Sequence, residues 1–348
     1  MKRKRASQLA EAFVPSGSLP DEWETPSFEL VRVETPDDLP PASPATIDVA
    51  LLDMNHGYPN VGHDAMVAFV RDISARHAAE LEDAQRRVRV LSYAIRDRLM
   101  IPDHATGRHQ LYLGTGGPGH LDPRRNTADR GAAEVREDPS WEAPLWRLFD
   151  DISADDSAAL YGVCHTFGLL CRWSGAAEPV LRGPDKGGPM SGVGSDVLTA
   201  EGRAHPWFGK LLGDLPTNSL PVLESRYYDL IPTSSTFPAG VSPIAFESGR
   251  SGTGGDALTM LEIARREGEV APRMFAVNSH PEIGTPERVR GLLERLLSRG
   301  AIDAAVFEQR SALLPVLRDD RREQRLRVAR AVFSDLVERR LEGLVHAA

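Results

Sequence analysis

The strongest constraint on this chain is an alternation of short apolar, β-branched runs with polar loops and stretches of helical periodicity. Thr46 to Asp53 reads TIDVALLD and ends in the loop MNHGYPNVGH. A helix-compatible stretch covers Asp64 to Arg86, and RVRVLSYAI then has the pattern of a second strand. Leu111 to Gly114 (LYLG) is a third, broken by the turn TGGPGHLDP. Trp141 to Ala154 has an amphipathic helical pattern, and Ala158 to Val163 (AALYGV) is a fourth strand running straight into Cys164. Such alternation predicts an α/β fold, a mostly parallel open sheet with helices on both faces. In these sheets functional groups gather beyond the carboxyl ends of the strands.

At 348 residues the chain has room for a large core. Proline density from Pro15 to Pro44 blocks helix and ladder formation, so residues 1–45 are expected to be an irregular leader, despite one β-like run at Phe28 to Val33. The main domain is placed at 46–300 and a helical extension at 301–348. MKRKR at the start lacks an apolar run behind it and is taken as a solvated tail. The glycine-rich segment Arg182 to Gly194 has neither a GKS/GKT ending nor a strand-to-helix context, and is taken as a surface loop. Regular patterns return at Ser219 to Ile231, Pro243 to Glu247 and Arg273 to Asn278, with helical patterns at Pro286 to Arg299 and Ala301 to Val316. From Arg321 to His346, Leu326, Phe333, Leu336, Val337, Leu341 and Leu344 fall near one face, as expected of a terminal helix packed on the core or on a partner chain.

The balance of 41 basic against 50 acidic residues, a net charge of −9, argues against phosphate neutralisation and hence against nucleic acid as a partner. No apolar run is long enough to span a bilayer, so no membrane role is expected. The two cysteines, Cys164 and Cys171, cannot build a disulfide framework or a zinc knuckle, which suits a reducing, cytoplasmic setting. His56 and His63 flank GYPNVG without convincing cysteine or carboxylate companions and are read as loop residues, so no metal site is expected.

Three patches carry chemistry. Gly162-Val163-Cys164-His165-Thr166-Phe167-Gly168 follows a strand and precedes a helical run, which suits a nucleophile on a sharp turn, its thiol at a helix N-terminus. Thr115 to Gly119 (TGGPG) follows another strand, and its glycines allow backbone amides to face an anionic centre. Asn278-Ser279-His280-Pro281-Glu282 follows a third. Proline keeps His280 extended, so the Glu282 carboxylate can reach its imidazole from two residues on. Cys171 lacks such flanks and reads as a packing residue.

In order and spacing the patches resemble the class I glutamine amidotransferase domain, whose pattern is a strand ending in GGPG, an elbow G-[IV]-C-x-G-x-Q and a final H-P-E. The resemblance runs from about Thr46 to Arg299. It implies a flavodoxin-like fold with Cys164 as nucleophile, His280 as base and acid, and Glu282 orienting His280. It further implies the amides of Gly117 and His165 as oxyanion hole, with Gly116, Gly168 and Tyr227 near the substrate. Arg226 and Tyr228, beside Tyr227 in SRYYDLIP, lie roughly where the family faces its substrate, and as residues they also suit a packed strand. Two positions depart from the pattern. The glycine two after the cysteine is Thr166, and the glutamine four after it, which helps hold the substrate, is Gly168.

The resemblance implies hydrolysis of the glutamine side-chain amide through a cysteine thioester, with no cofactor. Ammonia would pass to a partner synthetase or acceptor enzyme, since no G-x-x-x-x-G-K-[ST] motif appears. The departures leave open a γ-glutamyl or related amide hydrolase with a relaxed pocket, or a catalytically poor binding scaffold of the same fold.

Overall fold

The computed structural model describes residues 23–57, 61–126, 136–183, 190–208, 219–248, 254–265, 268–283, 290, 293–294, 297–298, 304–311 and 320–347. Among them, thirteen strands join in one mixed sheet. They are β1 (Glu24–Thr25), β2 (Phe28–Val33), β3 (Thr46–Asp53), β4 (Arg87–Ala94), β5 (Leu111–Gly114), β6 (Ala159–Val163) and β7 (Ala177–Leu181). There follow β8 (Met190–Leu198), β9 (Ser219–Arg226), β10 (Tyr228–Pro232), β11 (Val241–Ser248), β12 (Gly254–Ile263) and β13 (Met274–Val277).

The centre of the sheet runs β2-β4-β3-β5-β6-β13, every neighbour parallel. Without the outer strand β2, itself flanked by the two-residue β1, this is the doubly wound order of flavodoxin-like folds, the first strand lying between the second and third. Beyond β13 the sheet turns antiparallel through β12, β11, β8 and β9, with β10 and β7 as a side branch.

The parallel strands read as unbroken apolar runs because both faces are covered. Val49 and Leu51 of β3, Leu111 and Leu113 of β5, and Phe275 and Val277 of β13 enter one core. Ala50, Leu52, Tyr112, Met274 and Ala276, pointing the other way, enter a second. Helix α1 (Val61–Arg76) covers the first face with Met66, Val67, Val70 and Ile73. Between it and β4 lies the short α2 (Ala78–Asp83), and after β4 comes α3 (Ile95–Arg98). The second face is covered by α4 (Glu142–Ala154) and α5 (His165–Ser174), through residues such as Phe149 and Leu170. Two small helices follow, α6 (Ala200–Ala204) and α7 (Ala304–Ser311).

Several expectations change. The irregular leader does not hold for residues 24–33: its prolines flank the run FELVRV without interrupting it, and β2 pairs in full register with β4, burying Phe28, Leu30 and Val33. Of the two placements expected for the terminal helix, the first is found: α8 (Asp320–His346) packs on this chain's own core through Phe333, Leu336, Val337 and Leu341. His63 is a buried residue of α1 and no loop residue, its ring 2.9 Å from Ser92 Oγ and 3.1 Å from Asp64 Oδ1, and His56 has its own carboxylate companion in Glu137 at 3.8 Å. The end of the glycine-rich segment is strand: Gly194 pairs with Val222, and the Glu224 carboxylate of the same strand lies 2.7 Å from where a Gly194 Cβ would stand, so a larger residue would push Glu224 aside. Residues 184–189 of that segment, the MKRKR tail, and most of the helical patterns at 286–303 and 312–316 lie outside the described residues. No described helix is long and apolar enough to cross a membrane.

Candidate active site

β6 stands between β5 and β13, with Gly114 opposite Gly162 and Val163 opposite Val277. The chain leaving each strand therefore emerges at one sheet edge, and the three sequence patches meet there.

Cys164 takes φ +48°, ψ −98°, between β6 and the first residue of α5. A non-glycine residue rarely holds such a backbone, and here it is pinned from both sides. Its N–H donates to Val277 O at 2.8 Å, and its carbonyl accepts from Gly168 N at 3.0 Å. The thiol thus stands out at the mouth of a helix, where backbone N–H groups have no helical partners. Cys171, fully buried on α5, has its thiol pushed well up by burial and stays inert.

His280 is placed by its own N–H, which donates to Leu223 O at 2.8 Å. Its Nδ1 lies 2.8 Å from Glu282 Oε1, with the Glu282 side chain buried. Burial alone would lower the imidazole pKa, but the Glu282 and Cys164 charges outweigh it and hold the ring well above the ordinary value, so it carries a proton at neutral pH. A Cβ on Gly116 would stand 3.1 Å from His280 Cε1 and 3.8 Å from Cys164 Sγ. Ring and sulfur therefore flank one point, into which a Cβ would crowd. The thiol is turned to Ser225 O at 3.8 Å, and His280 Nε2 has no aligned hydrogen-bond partner among the described residues. Contacts of this kind often tighten only when substrate is bound.

Gly117 and His165 also come together: the buried His165 ring is hydrogen-bonded to the Gly117 backbone. Burial first, then the Arg96 charge, holds this ring neutral.

Both departures from the family pattern have physical explanations. Thr166 fits because Gly114 and Gly162 make room for it. A Cβ on Gly162 would fall 2.6 Å from Thr166 Cγ2, and one on Gly114 would run into the same side chain. Thr166 Oγ1 then donates to Thr115 O at 2.8 Å, tying the elbow to the glycine turn. At Gly168 the missing side chain is replaced from elsewhere, since Leu121 occupies the space a Cβ would need.

Behind β9 lies a buried charged cluster. Arg226 pairs with Glu224 at 3.4 Å, Asp229 at 3.5 Å and Glu247 at 2.9 Å, and Arg182 with Asp229 at 2.6 Å. Burial, then the Glu224 charge, raises the Asp196 carboxyl well above its usual range against the pull of Arg226. Arg226 is thus a structural ion-pair centre, while Tyr227 stands 42% exposed two residues beyond Ser225. Tyr228 packs edge-on against His120 at 4.8 Å. Among the described residues, one group could share a metal ion: His77, Glu338 and Glu342, remote in the fold where α1 ends against α8.

Sequence spacing does not single out Ser225, Leu121 or Arg96. Leu121 lies in the turn TGGPGHLDP, but nothing in its neighbours says which helix residue it will cover.

The chain matches no known family model and no curated protein. Among solved structures, it is 14% identical to a glutamine amidotransferase from Methylobacillus flagellatus, over 84% of this chain and 94% of that one, with a TM-score of 0.49. It is also 14% identical to the protein SMU.1228c, over 83% of this chain and 99% of that one, with a TM-score of 0.47. A likeness at this level concerns backbone course, and the chemistry rests on the residues themselves.

Proposed function

We propose that this chain is a cysteine-dependent amide hydrolase of the glutaminase type. The observation that carries the reading is the meeting of Cys164, on a strained strand-to-helix turn, with the His280–Glu282 pair at the shared edge of β6 and β13. The Cys164 thiolate attacks the side-chain carboxamide carbon, and the carbonyl electrons move onto oxygen, facing the amides of Gly117 and His165. The intermediate collapses as the protonated His280 gives its proton to the departing ammonia, leaving a thioester. Neutral His280 next takes a proton from water, which attacks the thioester and releases the acid and the thiolate. Glu282 fixes the ring's orientation and favours its charged form.

The acceptor of ammonia, if there is one, belongs to a partner synthetase. A second reading, hydrolysis of γ-glutamyl or related amides, is favoured by Leu121 over Gly168, which puts an apolar group where the family pattern carries a carboxamide.

Purified protein offered glutamine and γ-glutamyl peptides, with ammonia and the released acid measured beside Cys164→Ala, tests both. Release that disappears in the variant supports the nucleophile. Release from the peptides alone selects the second reading, and equal release from both proteins removes the proposal.

A further inference from the structure

A glycine-rich turn is a poor place to fix a hydrogen-bond donor, because glycine has the widest conformational freedom of any residue. Catalysis through backbone amides needs the opposite, donors already aimed where the oxyanion will form. Around Gly117 the structure supplies what holds the turn. Arg96, on α3, is almost completely buried. Its Nη1 donates to Met54 O at 2.8 Å and to Pro118 O at 2.7 Å. Its Nε donates to Glu137 Oε2 at 2.7 Å, both side chains being wholly enclosed. Glu137 Oε1 accepts from Asn126 Nδ2 at 2.6 Å, and Asn126 bonds the backbone N–H and carbonyl of His120. The far end of the turn is thereby strapped to the same cation.

The near end is strapped as well, since Thr115 Oγ1 accepts from Met54 N at 2.9 Å. A Cβ on Gly117 would collide with Met54 O and stand 3.1 Å from Arg96 Nη1, so the turn lies flat against the guanidinium. The His165 ring closes the remaining side. It is hydrogen-bonded to the Gly117 backbone. The peptide after Pro118 is held by Arg96, and the Pro118 ring fixes φ just before it.

We infer that Arg96 is a positioning residue for acyl transfer at Cys164, clamping the 115–120 turn between the Met54 and Pro118 carbonyls so that the Gly117 N–H is aimed at the tetrahedral oxyanion. This rests on the reading of Cys164 as an acyl-transfer nucleophile. It goes further by assigning a buried cation outside the triad to the aim of the oxyanion donor. Three acceptors on one guanidinium exceed what mere packing of α3 requires.

Two reagents separate this role from a structural one in the full-length protein. With p-nitrophenyl acetate, a bond forms between Cys164 sulfur and the ester carbon and the carbonyl electrons move to oxygen. The intermediate then expels p-nitrophenolate, so the reaction depends on the oxyanion donors. With iodoacetamide, sulfur bonds to the methylene carbon as iodide leaves with its electron pair, and no oxyanion forms. Arg96→Met should slow acylation on the order of 10²-fold, the scale of one lost oxyanion donor, while alkylation stays within about twofold of wild type. Arg96→Lys should fall between the two. Glu137→Gln, which keeps the arginine but loosens its anchor, should show a smaller loss of the same kind and serves if Arg96→Met does not fold. Cys164→Ala sets the background for both reagents.

Parallel loss of acylation and alkylation, or unchanged acylation, would overturn the clamp. A wild-type protein whose Cys164 reacts with both reagents but frees ammonia from no amide would remove the amidase reading, and the acylation-to-alkylation ratio would still decide the role of Arg96. A Cys164 that reacts with neither would remove both.

Discussion

Val163 and Val277 stand opposite each other at the last paired position of two parallel strands, and from that one register Cys164 and His280 leave the sheet side by side. More than a hundred residues separate the two in sequence. The intervening chain forms the antiparallel extension of the sheet, and its strand β9 returns to the site, offering Leu223 O to His280 N and Ser225 O to the Cys164 thiol.

Thr166 and Gly162 are coupled through space. Gly162→Ala pushes a methyl into Thr166 and should cost about 1–3 kcal/mol, the usual range for overpacking. Thr166→Ala forfeits its bond to Thr115 O and should cost about 1 kcal/mol. Because the smaller residue leaves room for the added methyl, the double variant should be less destabilised than the sum. Denaturant unfolding of the four proteins measures this, and strict additivity would contradict the steric account.

Glu282→Gln removes the charge that holds the His280 ring protonated, so the imidazole should titrate at lower pH than in wild type. The alkaline limb of the kcat/KM profile, which reports loss of the imidazolium needed by the leaving group, should move to lower pH. Turnover should fall by about 10²–10⁴-fold, less than for Cys164→Ala. A pH–rate profile that keeps its position would make Glu282 a bystander.

How much of this is legible in the chain follows from which interactions are local. Strands ending in LYLG, AALYGV and RMFAVN announce themselves because parallel strands buried on both faces need unbroken apolar runs. The residues just past their ends then carry the chemistry wherever the topology puts them. The Glu282–His280 contact is readable because extended chain brings residues two apart to one side. The run of β2 reads as β-like, but flanking prolines, whose effect stops at the strand's ends, hide that it joins the sheet, and β8 is obscured by its glycines, of which Gly194 lies against Glu224. Arg96 and Leu121 act across the fold, and pairings at that distance leave no trace in local pattern.

Asp196 keeps its proton in the fold at pH values where the unfolded chain has lost it near 3.8. Above 3.8 the unfolded state binds fewer protons, so this group makes stability fall as pH rises towards its folded pKa. Glu224 is raised as well, by burial first and then by the Glu247 charge, against the pull of Arg226. Asp196→Asn, which mimics the protonated carboxyl, should therefore gain in Tm over wild type as pH rises from 4 to 8, in experiments at constant salt. A constant difference across that range would contradict the burial argument.

Gly168→Gln restores the family's carboxamide on paper, but its Cβ falls where Leu121 already lies. The single variant should lose stability by about 1–3 kcal/mol. Combined with Leu121→Ala it should regain most of that and lower KM for glutamine. An unchanged Tm in the single variant would show that Leu121 yields freely.

The proposed chemistry passes through a thioester on Cys164. Acid-quenched protein, mixed with glutamine or with a γ-glutamyl peptide and analysed by peptide mass spectrometry, should show a γ-glutamyl adduct on the peptide containing Cys164. The adduct should be absent in Cys164→Ala and should decay as free acid appears. Turnover of either substrate without any adduct at Cys164, or with the same adduct elsewhere in the Cys164→Ala protein, would contradict the account.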